Sequence, residues 1–123
     1  MICLLSFFLN LLVESSTYEV SGLDSVGYVD AAASYDKTDG KVSLFILNRD
    51  LAKSHDVEVV WEDAAPARVI SASLLTGDDL KASNSFAAPK RIAPQSFAVP
   101  ATSGGKSKFE VPARSYTVIQ WSL

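Results

Sequence analysis

Ser54, His55 and Asp56 are the side-chain types of a nucleophile, a base and an orienting acid, and they stand side by side. A hydrolytic relay needs such groups to converge on one point, whereas consecutive residues entering a strand send their side chains to opposite faces. They are not read as a triad. Glu58 and Glu62 come next, because glycosidic cleavage uses two carboxyl groups, one protonated as acid and one ionised as nucleophile or base. In an extended strand the two share the solvent face, where nothing raises one pKa over the other. Asp78 and Asp79 could open a calcium loop, yet hard cations take oxygen ligands at alternate positions, and Leu80 and Lys81 follow at once; a turn cap is the better reading. His55 is the single histidine and Cys3 the single cysteine. That leaves no zinc-type ligand set and no internal disulfide. The glycines form no phosphate-cradling loop. No residue is assigned as catalytic, cofactor-binding or metal-binding, and no cofactor is expected.

Aromatic side chains offer a different chemistry, stacking on a sugar ring. Trp61, Trp121, Tyr18, Tyr28, Tyr35 and Tyr116 are the candidates, but both tryptophans fall on the apolar faces of their segments and read as core. Charge is the remaining lever. The 123 residues carry 14 acids and 11 bases, net −3, which gives no broad attraction to phosphate and sets nucleic-acid binding aside. The charge is uneven, with five acids and no base as far as Asp36 and six bases against Glu110 alone from Lys81 to Arg114. Such a basic stretch is either a solvated rim or a docking surface for an acidic neighbour.

The elements that must position these residues are short and alternate with period two, the mark of antiparallel sheet. Tyr28 to Asp36 sets Val29, Ala31, Ala33 and Tyr35 against Asp30, Ser34 and Asp36, and Asp39-Gly40 supplies a hairpin turn. Lys41 to Asn48 is apolar on both faces, with Val42, Leu44 and Ile46 opposite Phe45 and Leu47, and is expected to be central and covered on each side. Asn48-Arg49-Asp50 is a polar stop, where Asn48 is placed to bond the next turn and Arg49 to pair with Asp50 or Asp30. Val57, Val59 and Trp61 line one face of the next strand. Ala67 to Thr76 then sets Ile70, Ala72 and Leu74 against Val69, Ser71 and Ser73. A long irregular run from Leu80 to Gly105 precedes a short edge strand at Phe109 and Val111 and a last strand from Ser115 to Leu123. Six or seven short strands with no amphipathic helix predict an all-β, antiparallel β-sandwich of jelly-roll type.

The length suits one domain, residues 14–123, preceded by an apolar segment at residues 1–13. That segment is too short to span a bilayer, which takes about 20 residues. It lacks the basic flank and small-residue cleavage site of a secretory signal. It reads as a buried strand or helix end, and no membrane partner is expected.

The order of four landmarks resembles the C-terminal domain of α-L-arabinofuranosidases of glycoside hydrolase family 51. They are Tyr28-Val29-Asp30-Ala31-Ala32-Ala33-Ser34-Tyr35-Asp36, then Val42 to Asp50 ending in Asn48-Arg49-Asp50, then Leu74-Leu75-Thr76-Gly77-Asp78-Asp79 through Asn84-Ser85-Phe86, and Pro112-Ala113-Arg114-Ser115-Tyr116. Met1 to Phe8 does not match, the similarity beginning near residue 9, and Gly27 stands where the family more often has proline. The resemblance implies a jelly-roll domain packed on a TIM barrel that carries two catalytic glutamates, neither of which has a counterpart here. It implies that the parent enzyme removes terminal arabinofuranosyl groups with retention, works in the cytoplasm as a homo-oligomer, and that this chain is its accessory domain, a fragment without the barrel. The competing reading is a free-standing carbohydrate-binding module, which needs exposed aromatics; burial of Trp61 and Trp121 separates the two.

Overall fold

The computed structural model describes all residues except 1, 6–9, 23, 24 and 63, and residues 2–5 and 10–12 by backbone alone. Every element among the described residues is a strand: β1 (Ile2–Leu5), β2 (Asn10–Val13), β3 (Thr17–Glu19), β4 (Ser25–Gly27), β5 (Val29–Asp36), β6 (Lys41–Asn48), β7 (His55–Trp61), β8 (Arg68–Thr76), β9 (Gln95–Ser96), β10 (Lys106–Val111) and β11 (Ser115–Ser122). They form a five-stranded sheet ordered β5-β6-β11-β8-β9, a four-stranded sheet ordered β10-β7-β1-β2, and a small β3-β4 ribbon. All pairs are antiparallel except β1 with β7, so the expected all-β sandwich holds. The apolar N-terminal segment is strand in β1 and β2, while its expected side-chain burial and the setting of Cys3 lie outside the described residues.

The first hairpin forms as its turn chemistry dictates. Gly40 takes φ +62°, a left-handed conformation that suits glycine, and Asp36 Oδ1 accepts the Thr38 N–H at 2.9 Å. Alternation then sorts the side chains. Val42, Leu44 and Ile46 of β6 and Ile119 and Trp121 of β11 face inward onto Val57, Val59 and Trp61 of β7 and Phe109 and Val111 of β10. The Trp61 and Trp121 rings meet edge to face, centroids 5.1 Å apart, a geometry that the ring quadrupoles favour. Trp61 Nε1 donates to Ser107 Oγ at 2.9 Å, so its one polar atom is satisfied inside.

Two details depart from the alternation read in the sequence. The β8 register slips between Gln120 and Trp121, which pair with Ser71 and Val69 respectively. This bulge turns Val69 onto the core and leaves Ile70 exposed, although Ala72 and Leu74 keep the inward face. The second apolar face of β6 is also not covered by this chain. β6 is interior to its sheet, but Leu47 is 40% exposed and Phe45 half-buried.

The irregular run after β8 divides in two. Phe97 and Val99 pack against the core, Phe97 edge-on to Phe109 of the edge strand β10 at 6.0 Å. Residues 77–94 do not; they leave the sheet after Thr76 and are mostly exposed.

Candidate functional site

The end of the sandwich where β6, β8 and β11 meet is built by side chains that bond loop backbones. Asn48, 1% exposed, donates from Nδ2 to the carbonyls of Pro112 at 2.8 Å and Lys53 at 3.2 Å, and its Oδ1 accepts the Asp50 N–H at 3.0 Å. Asp50 carries the turn onward, its Oδ1 accepting the N–H groups of Ala52 at 3.0 Å and Lys53 at 3.1 Å. Its Oδ2 lies 2.9 Å from His55 Nε2. The Ala52 N–H, and after it His55, hold the Asp50 carboxyl below its ordinary value. The Tyr28 ring stacks on His55 with centroids 5.5 Å apart, and Tyr18 lies against Tyr28 at 4.8 Å.

Two arginines complete the corner. Arg49 donates to the Gly27 carbonyl at 2.8 Å and pairs with Asp30 at 3.0 Å, which selects one of the two acids expected for it. Arg114 sits at φ +50°, an uncommon conformation for a side chain with a Cβ. Its backbone N–H donates to the Asp50 carbonyl at 2.9 Å. Its guanidinium ties two other loops to its own, donating to the carbonyls of Gly77 at 3.1 Å and of Leu51, and to Asp78 at 3.0 Å. Thr76 Oγ1 donates to the Ala113 carbonyl at 3.1 Å. Asn48-Arg49-Asp50, Thr76-Gly77-Asp78 and Pro112-Ala113-Arg114 are therefore one structure, and what they frame is apolar. Leu47, Leu51, Leu75, Leu80, Ile92 and Tyr116 line an open groove of about 370 Å³. Leu51 and Leu80 are 60% and 68% exposed.

The outer face of the five-stranded sheet continues from this groove. Strand register places Asp30, Leu47, Tyr116 and Leu75 in one row, Ala32, Phe45, Val118 and Ser73 in the next outward-facing row, and Ser34, Ser43, Gln120 and Ser71 in the third. The surface nearest the groove is thus the apolar part.

Of the residues weighed for chemistry, His55, Tyr28, Asp78, Asp79 and Tyr116 lie at this corner, and they do not assemble into a reactive set. Ser54 and Asp56 are exposed at the mouth of β7, and His55 turns to Asp50 instead of either. Glu58 lies between Lys106 at 3.3 Å and Lys108 at 3.4 Å, and the Lys106 hydrogen bond is foremost in holding its carboxyl below the ordinary value. That is opposite to what a proton donor requires. Glu62 is exposed beyond the end of β7. Asp79 caps a turn, its Oδ1 accepting the Lys81 N–H at 2.9 Å. Among the described residues no three His, Cys, Asp or Glu side chains group as metal ligands. Trp61 and Trp121 are buried, and Tyr116 stands as the exposed aromatic of the outer face.

The sequence matches the family described as "Alpha-L-arabinofuranosidase C-terminal domain" over residues 8–115. The chain belongs to that family. Among solved structures, this arabinofuranosidase C-terminal domain is similar to part of a family 51 α-L-arabinofuranosidase from Bifidobacterium longum, with TM-score 0.81 and 24% identity over 92% of this chain and 22% of that one. The family 51 arabinofuranosidase from Xanthomonas axonopodis pv. citri gives TM-score 0.78 and 25% identity over 93% of this chain and 22% of that one. A family 30 endoxylanase from Clostridium papyrosolvens shares the fold at TM-score 0.59 and 13% identity, over 94% of this chain and 23% of that one. No curated protein matches the sequence. The domain thus spans less than a quarter of each of these enzymes.

Sequence reasoning missed the Asp50–His55 pair and the Arg114 clamp. An acid at a polar stop, followed five residues later by the lone histidine at a strand mouth, is the signal for the first. For the second, the short connection Pro112-Ala113-Arg114 between β10 and β11 signals an unusual backbone conformation but not the partners that Arg114 reaches.

Proposed function

We propose that this domain is the accessory part of an α-L-arabinofuranosidase and that the apolar half of its outer sheet face rests against the TIM-barrel catalytic domain. One observation carries the reading: the segments by which the chain resembles its family are spent on building a corner around an apolar groove and not on assembling reactive groups. The parent enzyme, on this reading, is a retaining cytoplasmic glycosidase acting on terminal α-L-arabinofuranosyl groups, and both of its catalytic carboxylates belong to the barrel. The burial of both tryptophans speaks against a free-standing carbohydrate-binding module.

Two measurements test this. The purified chain releases no product from an aryl α-L-arabinofuranoside above a buffer blank; turnover that survives repurification and disappears in Glu58→Gln or Glu62→Gln overturns that part. In the second, this chain replaces the matching 22% of the Bifidobacterium longum enzyme. The chimera is expected to stay soluble and active where the barrel truncated before that segment aggregates. A chimera no more stable than the truncated barrel overturns the docking.

A further inference from the structure

Residues 77–94, between β8 and β9, form a loop tied to itself. Asn84 grips Ile92, its Nδ2 donating to the Ile92 carbonyl at 3.0 Å and its Oδ1 accepting the Ile92 N–H at 2.7 Å. Inside that tie Ser85 and Ala88 bond each other twice, Ser85 Oγ accepting the Ala88 N–H at 3.1 Å and the Ala88 carbonyl accepting the Ser85 N–H at 3.2 Å. The tip so closed reads Phe86-Ala87-Ala88-Pro89, and Phe86 is wholly exposed. A closed loop therefore holds a bare aromatic ring in water. Aromatic side chains fixed in this way are what protein interfaces use as anchors, since little freedom remains to be lost on binding.

The loop continues the apolar surface at the end of the five-stranded sheet. Leu80 and Ile92, on either side of Phe86 in sequence, wall the same groove as Leu47, Leu51, Leu75 and Tyr116. Whatever covers the sheet side of that groove thus meets the base of the loop as well. Charge narrows the occupant. Asp78 and Asp79 are taken by Arg114 and Arg91, at 3.0 and 3.3 Å. Lys81 and Lys90 are exposed and have no carboxylate at ion-pair distance among the described residues. The face carries surplus positive charge, which a surface bearing carboxylates complements and a copy of itself does not. A large tethered neighbour is also the rule among the structures similar to this domain, which accounts for 22% of each of two family 51 enzymes.

We propose that loop 77–94 is a prong by which this domain holds its catalytic barrel, Phe86 entering an apolar socket on the barrel surface and Lys81 and Lys90 pairing with carboxylates at the rim of that socket. The inference rests on the barrel reading above and adds to it the residue that anchors the contact and the chemistry of the surface it enters. The groove supplies apolar area, which is undirected. The ring and the two ammonium groups fix where on the barrel that area settles.

The chimera that carries this chain on the Bifidobacterium longum barrel tests it, with the isolated chain beside it. Phe86→Ala in the chimera should shorten the half-life of activity at a fixed elevated temperature by about tenfold or more. Lys81→Glu with Lys90→Glu should shorten it too, and that loss should shrink in high salt. In the isolated chain neither change should move the thermal melt, since all three side chains are exposed. Acetylation read by mass spectrometry locates the contact. Lys81 and Lys90 should label in the isolated chain and be protected in the chimera, while Lys37, in the β5–β6 turn at the other end of the sheet, labels in both. A Phe86→Ala chimera as durable as its parent, lysines that label equally in both proteins, or an isolated Phe86→Ala chain that melts lower overturns the prong. With a durable parent chimera, each of these results leaves the barrel reading standing. A chimera no more stable than the truncated barrel instead overturns the barrel reading, and the prong with it.

Discussion

At one end of the five-stranded sheet the outward row is Asp30, Leu47, Tyr116 and Leu75; four residues along the same strands it is Ser34, Ser43, Gln120 and Ser71. The inward residues between them do not change in this way, being Ile46 and Thr117 at the first end and Val42 and Trp121 at the other, all buried. All three rows are paired across β5, β6, β11 and β8, and the one register slip lies just beyond the third, so strand formation does not demand leucine on the outside. Serine serves equally well where water is the neighbour. What differs is the environment each end is suited to, and the end crowned by the Asn48, Asp50 and Arg114 network is suited to being covered. Monomers seldom leave contiguous apolar surface of this kind open without a use for it.

The largest effect should come from the inward face. Leu44 is fully buried and packs among the residues of both sheets. Leu44→Ala removes three carbons and leaves a cavity, and should cost about 2 to 5 kcal/mol in a denaturant titration. If Leu47→Ala, three residues along the same strand, cost as much, the outer face would belong to the core and the contrast would collapse.

The corner should come next. Asn48 is buried and bonds the backbones of two loops, β6–β7 and β10–β11, so Asn48→Ala leaves several backbone groups without a partner and should cost about 1 to 3 kcal/mol. Arg49→Ala gives up a partly exposed pair with Asp30 and should cost about 0 to 1 kcal/mol. The reverse ranking would mean that the corner is held from outside, by charge.

Acid should weaken both this corner and the Glu58–Lys106 contact between β7 and β10. The Asp50 carboxyl is held low by the Ala52 N–H and by His55, and Glu58 by Lys106. Both groups bind a proton less readily in the folded chain than in the unfolded one, so their contribution is present above the unfolded values and is lost as pH falls through the folded ones. The melting midpoint should therefore hold down to about pH 4 and drop below it. Asp50→Asn should lower the midpoint at neutral pH and blunt the acid drop. A midpoint insensitive to pH between about 5 and 2 would contradict this.

How much of this the sequence disclosed follows from the range of each interaction. Alternation and turn chemistry act within a few residues, so Val42 to Asn48, the Asp39-Gly40 turn and the inward placing of Trp61 and Trp121 were legible. The β8 bulge was not, because Val69 and Ile70 are equally apolar and the slip depends on pairing with β11. Nor was the Arg114 clamp, whose partners Gly77 and Leu51 are distant in sequence. The two apolar faces of β6 were legible as a pattern, but a pattern records what a face is suited to, not whether the same chain supplies the cover. That distinction also explains why Asn48-Arg49-Asp50 could be read as a structural corner and yet the apolar groove beside it could not be drawn from the sequence.

The smallest expected effect is the most informative about the outer face. Leu47 is 40% and Tyr116 41% exposed, and the two are opposite each other across β6 and β11. Replacing both with serine makes the first row resemble the third. Exposed substitutions that touch no cap or buried bond usually move stability by about 0.5 kcal/mol or less. The double variant should accordingly melt close to the parent while binding less of an environment-sensitive hydrophobic dye. The converse change, Ser43→Leu with Ser71→Leu, should extend the apolar surface along the sheet, raising dye binding with equally little effect on the melt. Should the serine variant lose stability by an amount comparable with Leu44→Ala, the outer leucine and tyrosine would be packing residues of this domain. Should dye binding stay the same, the apolar surface that the dye detects would lie elsewhere, with Leu80 and Phe86 on the exposed loop after β8 the next residues to change.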